Sequence, residues 1–431
     1  MNHEMNTSTD RRSPARLLAG LAPRHRARRL LDRLASWGTA TLVESFDNRI
    51  LLRDDLRRLA AAEGAVYEYG SPESFALDPP ESPSSPEGMV GERVGQHTLS
   101  QPFVCELPDC TLAGAYPVAL TDRSKVVLEA AVRESVLARN LAGSLANLLS
   151  NPGKARELRD SGESVDTACL LFHYWASGYF HWVFESVIRL EGVERYRELT
   201  GRSPTLILGP DPPSWQRETL ELLGYGSDDW LLWDRQRALV DRLVVPTVRR
   251  EAVLSPGAVR WLRERVHARL ETDDTPDPAE FPDRVYVSRN DANRRRVANE
   301  GAVETALADR GFSRVVLSEL SVPEQAALFA GAEIVVAPHG AGLTNLAYAN
   351  DPVVVELFRD GDIRGQYYQL AKILDLEYHY LVGEAVGGDI RVDVKELCGH
   401  LADAVDIEEE VDDSDAVDDS DAVDASRSAQ T

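Results

Sequence analysis

The chain has 431 residues, 43% apolar and 27% charged, which is a globular composition long enough for two cores. Its formal net charge of −24 excludes general nucleic-acid binding, because a phosphate backbone needs a net basic face. No apolar run reaches the length of about eighteen residues that a spanning helix needs, and the N-terminus lacks the pattern of a secretory signal, so a cytoplasmic protein is expected.

Only four of the 47 cationic residues are lysines (Lys125, Lys154, Lys372 and Lys395). Acidity with so little lysine fits a chain kept hydrated in concentrated salt, as in a haloarchaeal protein, where the charge would describe the solvent and not a partner; an acidic mesophilic protein from a GC-rich genome is the alternative. Of four cysteines, only Cys105 and Cys110 are close, and no second pair completes a zinc site. They read as ordinary thiols, with a Cys105–Cys110 disulfide as the alternative.

In chain order, residues 11–36 are basic, and Leu30, Leu31 and Leu34 share one helical face. Such a helix could lie on an anionic membrane surface or pack its leucines on the domain. Residues 71–88, "SPESFALDPPESPSSPEG", read as a loop or linker. Residues 101–130 predict short strands with turns, and 131–160 predict helix. Strands at 167–175, 204–210 and 238–247 then alternate with helices at 178–199, 213–225 and 256–270. The acidic, proline-containing stretch 271–282 marks a boundary. A second set follows: strand 284–289, helix near 299–310, strand 313–319, helix 321–332, and the strand–turn–helix–strand of 333–358. Alternation of this kind predicts parallel sheets with helices on both faces, in two Rossmann-like domains. The predicted division is 1–100 for the basic helix and linker, 101–275 and 276–405 for the two domains, and 406–431 for a tail. The tail repeat "DDSDAVDDSDAV" can bury no core and predicts disorder.

The segment "EIVVAPHGAGLTN" places a glycine turn at the carboxyl end of a buried strand, where doubly wound sheets bind ligands. Gly340 and Gly342 are expected to take positive φ and let the backbone approach a ligand. With Ala341, the amides of Gly342, Leu343, Thr344 and Asn345 at the next helix start would hold a phosphate. Alone the turn is unspecific, and a purely structural strand–helix turn is the alternative. Ser288 and Arg289 end the strand before "NDANRRR", which carries Arg294, Arg295 and Arg296. Arginines at a strand end can pair bidentately with phosphate, although a charged surface loop would look the same. Glu356, read as ending the strand "VVVEL", could accept hydrogen bonds from two ribose hydroxyls. Together these residues outline a nucleotide-diphosphate pocket.

Three blocks, "RVYVSRNDANRRRVANE", "LSELSVPEQAALFAGAEIVVAPHGAGLTN" and "VVVELF", resemble the core of family 61 glycosyltransferases. The segment "GYFHWVFESVIRL" at 178–190 resembles that family's aromatic–His–Trp helix. The resemblance spans roughly residues 100–400. It implies a GT-B-like α/β fold, with two Rossmann-like domains whose parallel sheets face a cleft. It also implies an inverting transfer from a nucleotide-diphosphate sugar, most often a UDP-sugar, to a hydroxyl of a glycan, lipid-linked or protein acceptor. Surface-polysaccharide or protein-glycan assembly is the implied setting, with no cofactor and no divalent metal required.

Inverting transfer needs a base on the acceptor side and positive charge on the diphosphate side. Arg289, Arg296 and the 342–345 amides are the candidates for the charge. The Asp-Gly-Asp of 360–362 lies in a turn and is set aside as a metal site. For the base, His181 and Glu185 lie four apart on one helix face. Either Glu185 is the base with His181 positioning the acceptor, or Glu185 orients His181. Relatives often carry aspartate here, so Glu185 is a departure. His339 at the glycine turn is the third candidate. His173, within "LLFHYW", is assigned to the core; Trp175, Tyr179, Phe180 and Trp182 could wall a sugar site or be core. A non-catalytic nucleotide-sugar binder and another sugar-nucleotide enzyme on the same fold are the competing readings. A nicotinamide-dependent enzyme is disfavoured, because no strand is followed by G-x-G-x-x-G.

Overall fold

The computed structural model describes residues 49–80, 93–151, 153–158, 164–249 and 253–404. The basic segment 11–36 and the acidic tail lie outside the described residues.

The first sheet has nine strands. Its spatial order is Ile50–Leu51, Val126–Val127, Val118–Leu120, Phe103–Ala113, Arg237–Pro246, Ser164–Leu170, Thr205–Leu208 and Trp230–Leu232, with Ala65–Glu68 also paired to Phe103–Ala113. From Arg237–Pro246 to Trp230–Leu232 the neighbours are parallel, as alternation predicts. The other half is antiparallel apart from the parallel edge pair of Ile50–Leu51 with Val126–Val127, and is built on the pairing of Phe103–Ala113 with Arg237–Pro246. This sheet is therefore mixed, and only part of it is Rossmann-like. The short strands expected at 101–130 begin instead with one 11-residue strand. Pro108 and Asp109 look like a turn, but Asp109 adopts φ 49° and the strand continues past it. The expected boundary near residue 100 also shifts, since strands from Ile50 onward already belong to this sheet. Part of the proline-rich stretch is ordered too: Glu73–Leu77 pairs with Gly95–Leu99.

The second sheet has six strands in the order Ser313–Val315, Arg284–Val287, Ile334–Pro338, Val353–Arg359, Tyr378–Val386 and Asp389–Arg391. All but the last pairing are parallel. Ile334–Pro338 is buried at every position, which is why it reads as an unbroken apolar run. The preceding helix, Val322–Gly331, starts with a capping box between Ser321 and Glu324, worth about 1 kcal/mol. The chain order reverses between Arg284–Val287 and Ile334–Pro338, so a crevice opens beyond their carboxyl ends.

One contiguous apolar cluster joins the two sheets, from Val183 and Leu206 to Val335 and Leu346. Helix Pro256–Leu270 crosses between them, and His267 Nε2 lies 2.7 Å from the Tyr348 carbonyl oxygen. The Val322 amide donates to Glu218 across the same seam at 2.9 Å. All four cysteines are reduced thiols. Burial pushes Cys110 and Cys169 up to about 12, so neither is a thiolate at neutral pH.

Candidate active site

The glycine turn sits at the reversal point of the second sheet, as the sequence predicts, but its glycines serve another purpose. Gly340 is extended, at φ −173°, and neither it nor Gly342 has positive φ. The constraint is space. A Cβ on Gly340 would run into the Arg289 guanidinium, and one on Gly342 would come within 2.6 Å of Leu317 Cδ1. Ala341–Tyr348 forms a 3-10 helix whose residues from Leu343 onward are buried. The Leu343 amide is already bonded to the Gly340 carbonyl. Ala341 and Gly342 are thus the parts of the turn that reach the surface, and the wider amide cradle expected over 342–345 is not exposed.

Because the Gly340 backbone tolerates any residue, Gly340→Ala should fold normally while displacing Arg289. The expected result is an unchanged melting temperature with a loss of about tenfold or more in nucleotide-diphosphate affinity, as for one charge-assisted bond. Isothermal titration with UDP checks it.

Arg289 lies over this turn, and Arg295 is its neighbour. Burial lowers both guanidinium pKa values, and the charges of Arg289, Arg294 and Arg364 help push Arg295 down to about 10. Both remain cationic at neutral pH. Among the described residues neither has a hydrogen-bonded carboxylate, and the buried Nε of each is without a partner. Three guanidiniums crowd Arg295 with Asp362 opposing them, a concentration of positive charge that a bound anion would relieve. Arg295 reaches this position through its own φ of 57°, which turns the run so that Arg296 points elsewhere. Arg296 is exposed and bound to Asp389 by Nε at 3.1 Å and Nη2 at 2.7 Å. Arg296 is therefore replaced by Arg295 in the anion cluster. Ser288 is also committed: its hydroxyl donates to Glu300 at 2.6 Å and accepts from Arg314 at 3.0 Å. Asp362 of the Asp-Gly-Asp turn is held below the usual carboxylate range: burial raises it, but Arg364, Arg295 and Arg359 outweigh that.

Glu356 does not end its strand, which runs on to Arg359, and it is fully buried. One carboxylate oxygen holds His339 Nδ1 and the other accepts from Tyr378 at 2.5 Å. It cannot meet a ribose in this arrangement. His339 is likewise 1% exposed, stacked on Phe358, with Nε2 3.4 Å from Gln366. The pair ties the floor of the turn to the sheet, and His339 is not at the turn's tip.

Helix 178–199 begins with one short α-turn, Tyr179–His181, and passes through a π-helical turn, Trp182–Ser186. Such bulges often mark functional sites. His181 Nδ1 lies 3.1 Å from Glu185 Oε1, as the spacing predicts. The two differ in access: the His181 side chain is 29% exposed and Glu185 is 0%. Arg133 binds the same carboxylate at 2.5 Å, and His173 Nε2 is 3.9 Å from its other oxygen. His173 is buried as expected, at 1% exposure with Nδ1 accepting from the Trp175 amide at 3.3 Å, and it lies at the edge of this cluster. Trp175 stacks on the His181 ring at 5.5 Å. Trp182 is core.

The two blocks meet. Tyr179 donates to Asn345 Oδ1 at 2.8 Å, and Asn345 Nδ2 donates to Gln325 at 2.8 Å. Phe180 packs edge-on to Tyr367 at 5.9 Å, and the Tyr367 hydroxyl lies 3.4 Å from Thr344 Oγ1. Asn345 and Thr344 are therefore struts between the histidine helix and the turn. Tyr367 and Arg133 are the participants that sequence reasoning missed, and Arg295 was not separated there from its two neighbours. Only Arg295 left a signal, as one of three adjacent arginines.

A cluster of arginines at a sheet crevice, facing a histidine backed by a carboxylate, suits an enzyme that handles an anionic group. Residues 179–355 match the model of the family described as Glycosyltransferase 61. That stretch, about two fifths of the chain, is similar to a glycosyltransferase domain, and such a domain implies a sugar donor and an acceptor. The match covers the histidine helix and the glycine turn, and reaches into all four segments that the resemblance rested on. No curated protein matches the chain.

Proposed function

We propose that the protein is an inverting glycosyltransferase that takes a nucleotide-diphosphate sugar, a UDP-sugar in the simplest reading, and transfers the sugar to a hydroxyl acceptor. The observation that carries this is the Arg289–Arg295 cluster over the Gly340 turn, beside a His181–Glu185 pair held on the neighbouring helix. The architecture is read as GT-B-like, with an acceptor unit up to about residue 275 and a donor unit from 276 to 405.

In this reading Arg289 and Arg295 bind the diphosphate and neutralise the charge that grows on it as the anomeric bond breaks. Ala341 and Gly342 give the phosphates close approach. His181 takes the proton from the acceptor hydroxyl, whose oxygen bonds to the anomeric carbon as the nucleotide diphosphate leaves. Glu185 is the positioning residue: it is buried, it fixes the His181 tautomer through Nδ1, and it stabilises the imidazolium. Arg133 in turn anchors Glu185. With arginine providing the countercharge, no divalent metal is required. A surface-glycan or protein-glycan setting at the cytoplasmic face is part of the same reading.

The test is a thermal-shift panel of UDP-, GDP-, dTDP- and CMP-sugars in molar KCl, with and without EDTA. One nucleotide class should raise the melting temperature, insensitive to EDTA, since a ligand at 100 times its Kd stabilises by about 2.7 kcal/mol. No shift with any nucleotide would sink the donor-site assignment. A shift abolished by EDTA would restore a metal.

A further inference from the structure

Helix Glu134–Ser150 starts at the candidate site and ends at the surface. Its first turn follows Arg133, which holds Glu185. Asn140 accepts from the Tyr174 amide at 2.9 Å, and Arg139 lies over the Trp175 ring at 5.7 Å. Gly143 packs against Tyr116. The opposite face carries Leu141, Leu145 and Leu149, spaced one turn apart and 52%, 58% and 74% exposed, the three most exposed leucines among the described residues.

The charge pattern around this face departs from the rest of the chain. About one residue in six of the protein is acidic, with 71 Asp and Glu in 431. Residues 135–156 contain no acid, and their charges are Arg139, Lys154 and Arg156. Lys154 is one of only four lysines. Glu134 opens the leucine helix and Glu157 follows the two cations, but between them an apolar helical face with cations just beyond its end is complementary to a lipid surface with anionic headgroups. Among the described residues no helix is long and apolar enough to cross a membrane, so the contact would be with the interface.

We propose that helix Glu134–Ser150 docks the protein on an anionic lipid surface through Leu141, Leu145 and Leu149, with Lys154 and Arg156 against the headgroups. Resting on the transferase reading, this places the His181 side of the cleft beside the membrane and makes a lipid-linked hydroxyl compound the acceptor class.

The experiment is co-sedimentation of the full chain, without any sugar donor, with phosphatidylglycerol/phosphatidylcholine vesicles and with phosphatidylcholine vesicles. Wild type should bind the anionic vesicles preferentially. The variant L145E/L149E should partition at least about tenfold more weakly, and K154E/R156E should lose the preference for anionic lipid. Leu145, Leu149 and Arg156 are exposed and Lys154 is half-buried, so melting temperature and nucleotide-induced thermal shift should match wild type. That second readout separates failure here from failure of the donor site. No vesicle binding by wild type, equal binding by L145E/L149E, or equal binding to both vesicle types would overturn the proposal. So would light scattering showing a dimer that L145E/L149E dissolves, since the leucine face would then belong to a second copy.

Discussion

Replacing His181 by alanine is expected to lower turnover by about 10²- to 10⁴-fold, the usual worth of a positioned general base. Donor affinity should stay within about twofold, because the diphosphate is held elsewhere. The assignment to His181 over Glu185 rests on access. Glu185 has no exposed surface, and its carboxylate is bracketed by Arg133 and His181. An acceptor hydroxyl could reach the imidazole but not that carboxylate. Glu185→Gln should also cut turnover, but it should lower the melting temperature as well, since it leaves Arg133 without its anion in a largely buried place. Measuring kcat, UDP affinity and melting temperature on both variants decides the matter. Near-normal turnover in His181→Ala, with turnover abolished in Glu185→Gln, would make the glutamate the base.

The second large effect belongs to the arginines. Arg289→Met and Arg295→Met should each weaken UDP binding by about 10- to 150-fold, the range of one charged hydrogen bond. Arg295→Met carries an additional signature. Its guanidinium is crowded by Arg289, Arg294 and Arg364, so its removal should raise the melting temperature of the ligand-free protein. A gain in stability with a loss of affinity is what a binding site held under like-charge repulsion predicts, and a merely structural arginine would give the opposite stability change. Arg296→Met is the control: it breaks only the exposed pair with Asp389 and should leave UDP affinity unchanged. Titration calorimetry and thermal melts on the three variants provide the check.

The second sheet was legible in the sequence because its central strands are buried on both faces and the helix Val322–Gly331 carries an explicit start signal. Ile334–Pro338 and the Ser321–Glu324 box are both plain in the letters. The first sheet was less so. Its antiparallel half depends on a strand that passes through Pro108 and Asp109, and local propensity argues for a turn there. The pairing with Arg237–Pro246, more than a hundred residues away, decides otherwise. The site followed the same division. His181 and Glu185 are four residues apart, so helical geometry alone brings them together. Arg133 and His173 join them only through tertiary packing, which no local pattern records. The choice between Arg295 and Arg296 turned on one backbone angle. The error over Glu356 was one of register: a carboxylate placed mid-strand faces inward, and its partners are His339, just past the end of one neighbouring strand, and Tyr378, which begins the other.

The shared interior of the two sheets has a mechanical consequence. A transferase made of two shells on a hinge admits substrate by opening like a jaw. Here one apolar cluster runs through both shells, and separating even ~400 Å² of it would cost ~10 kcal/mol. Such a jaw would stay shut on the timescale of turnover. Substrate entry is then expected at the loop of residues 289–296, where Asn290, Asp291, Asn293 and Arg294 are exposed between the half-buried Arg289 and Arg295. The small-angle scattering profile of the folded body should therefore superimpose with and without UDP, while amide hydrogen exchange in that loop slows sharply.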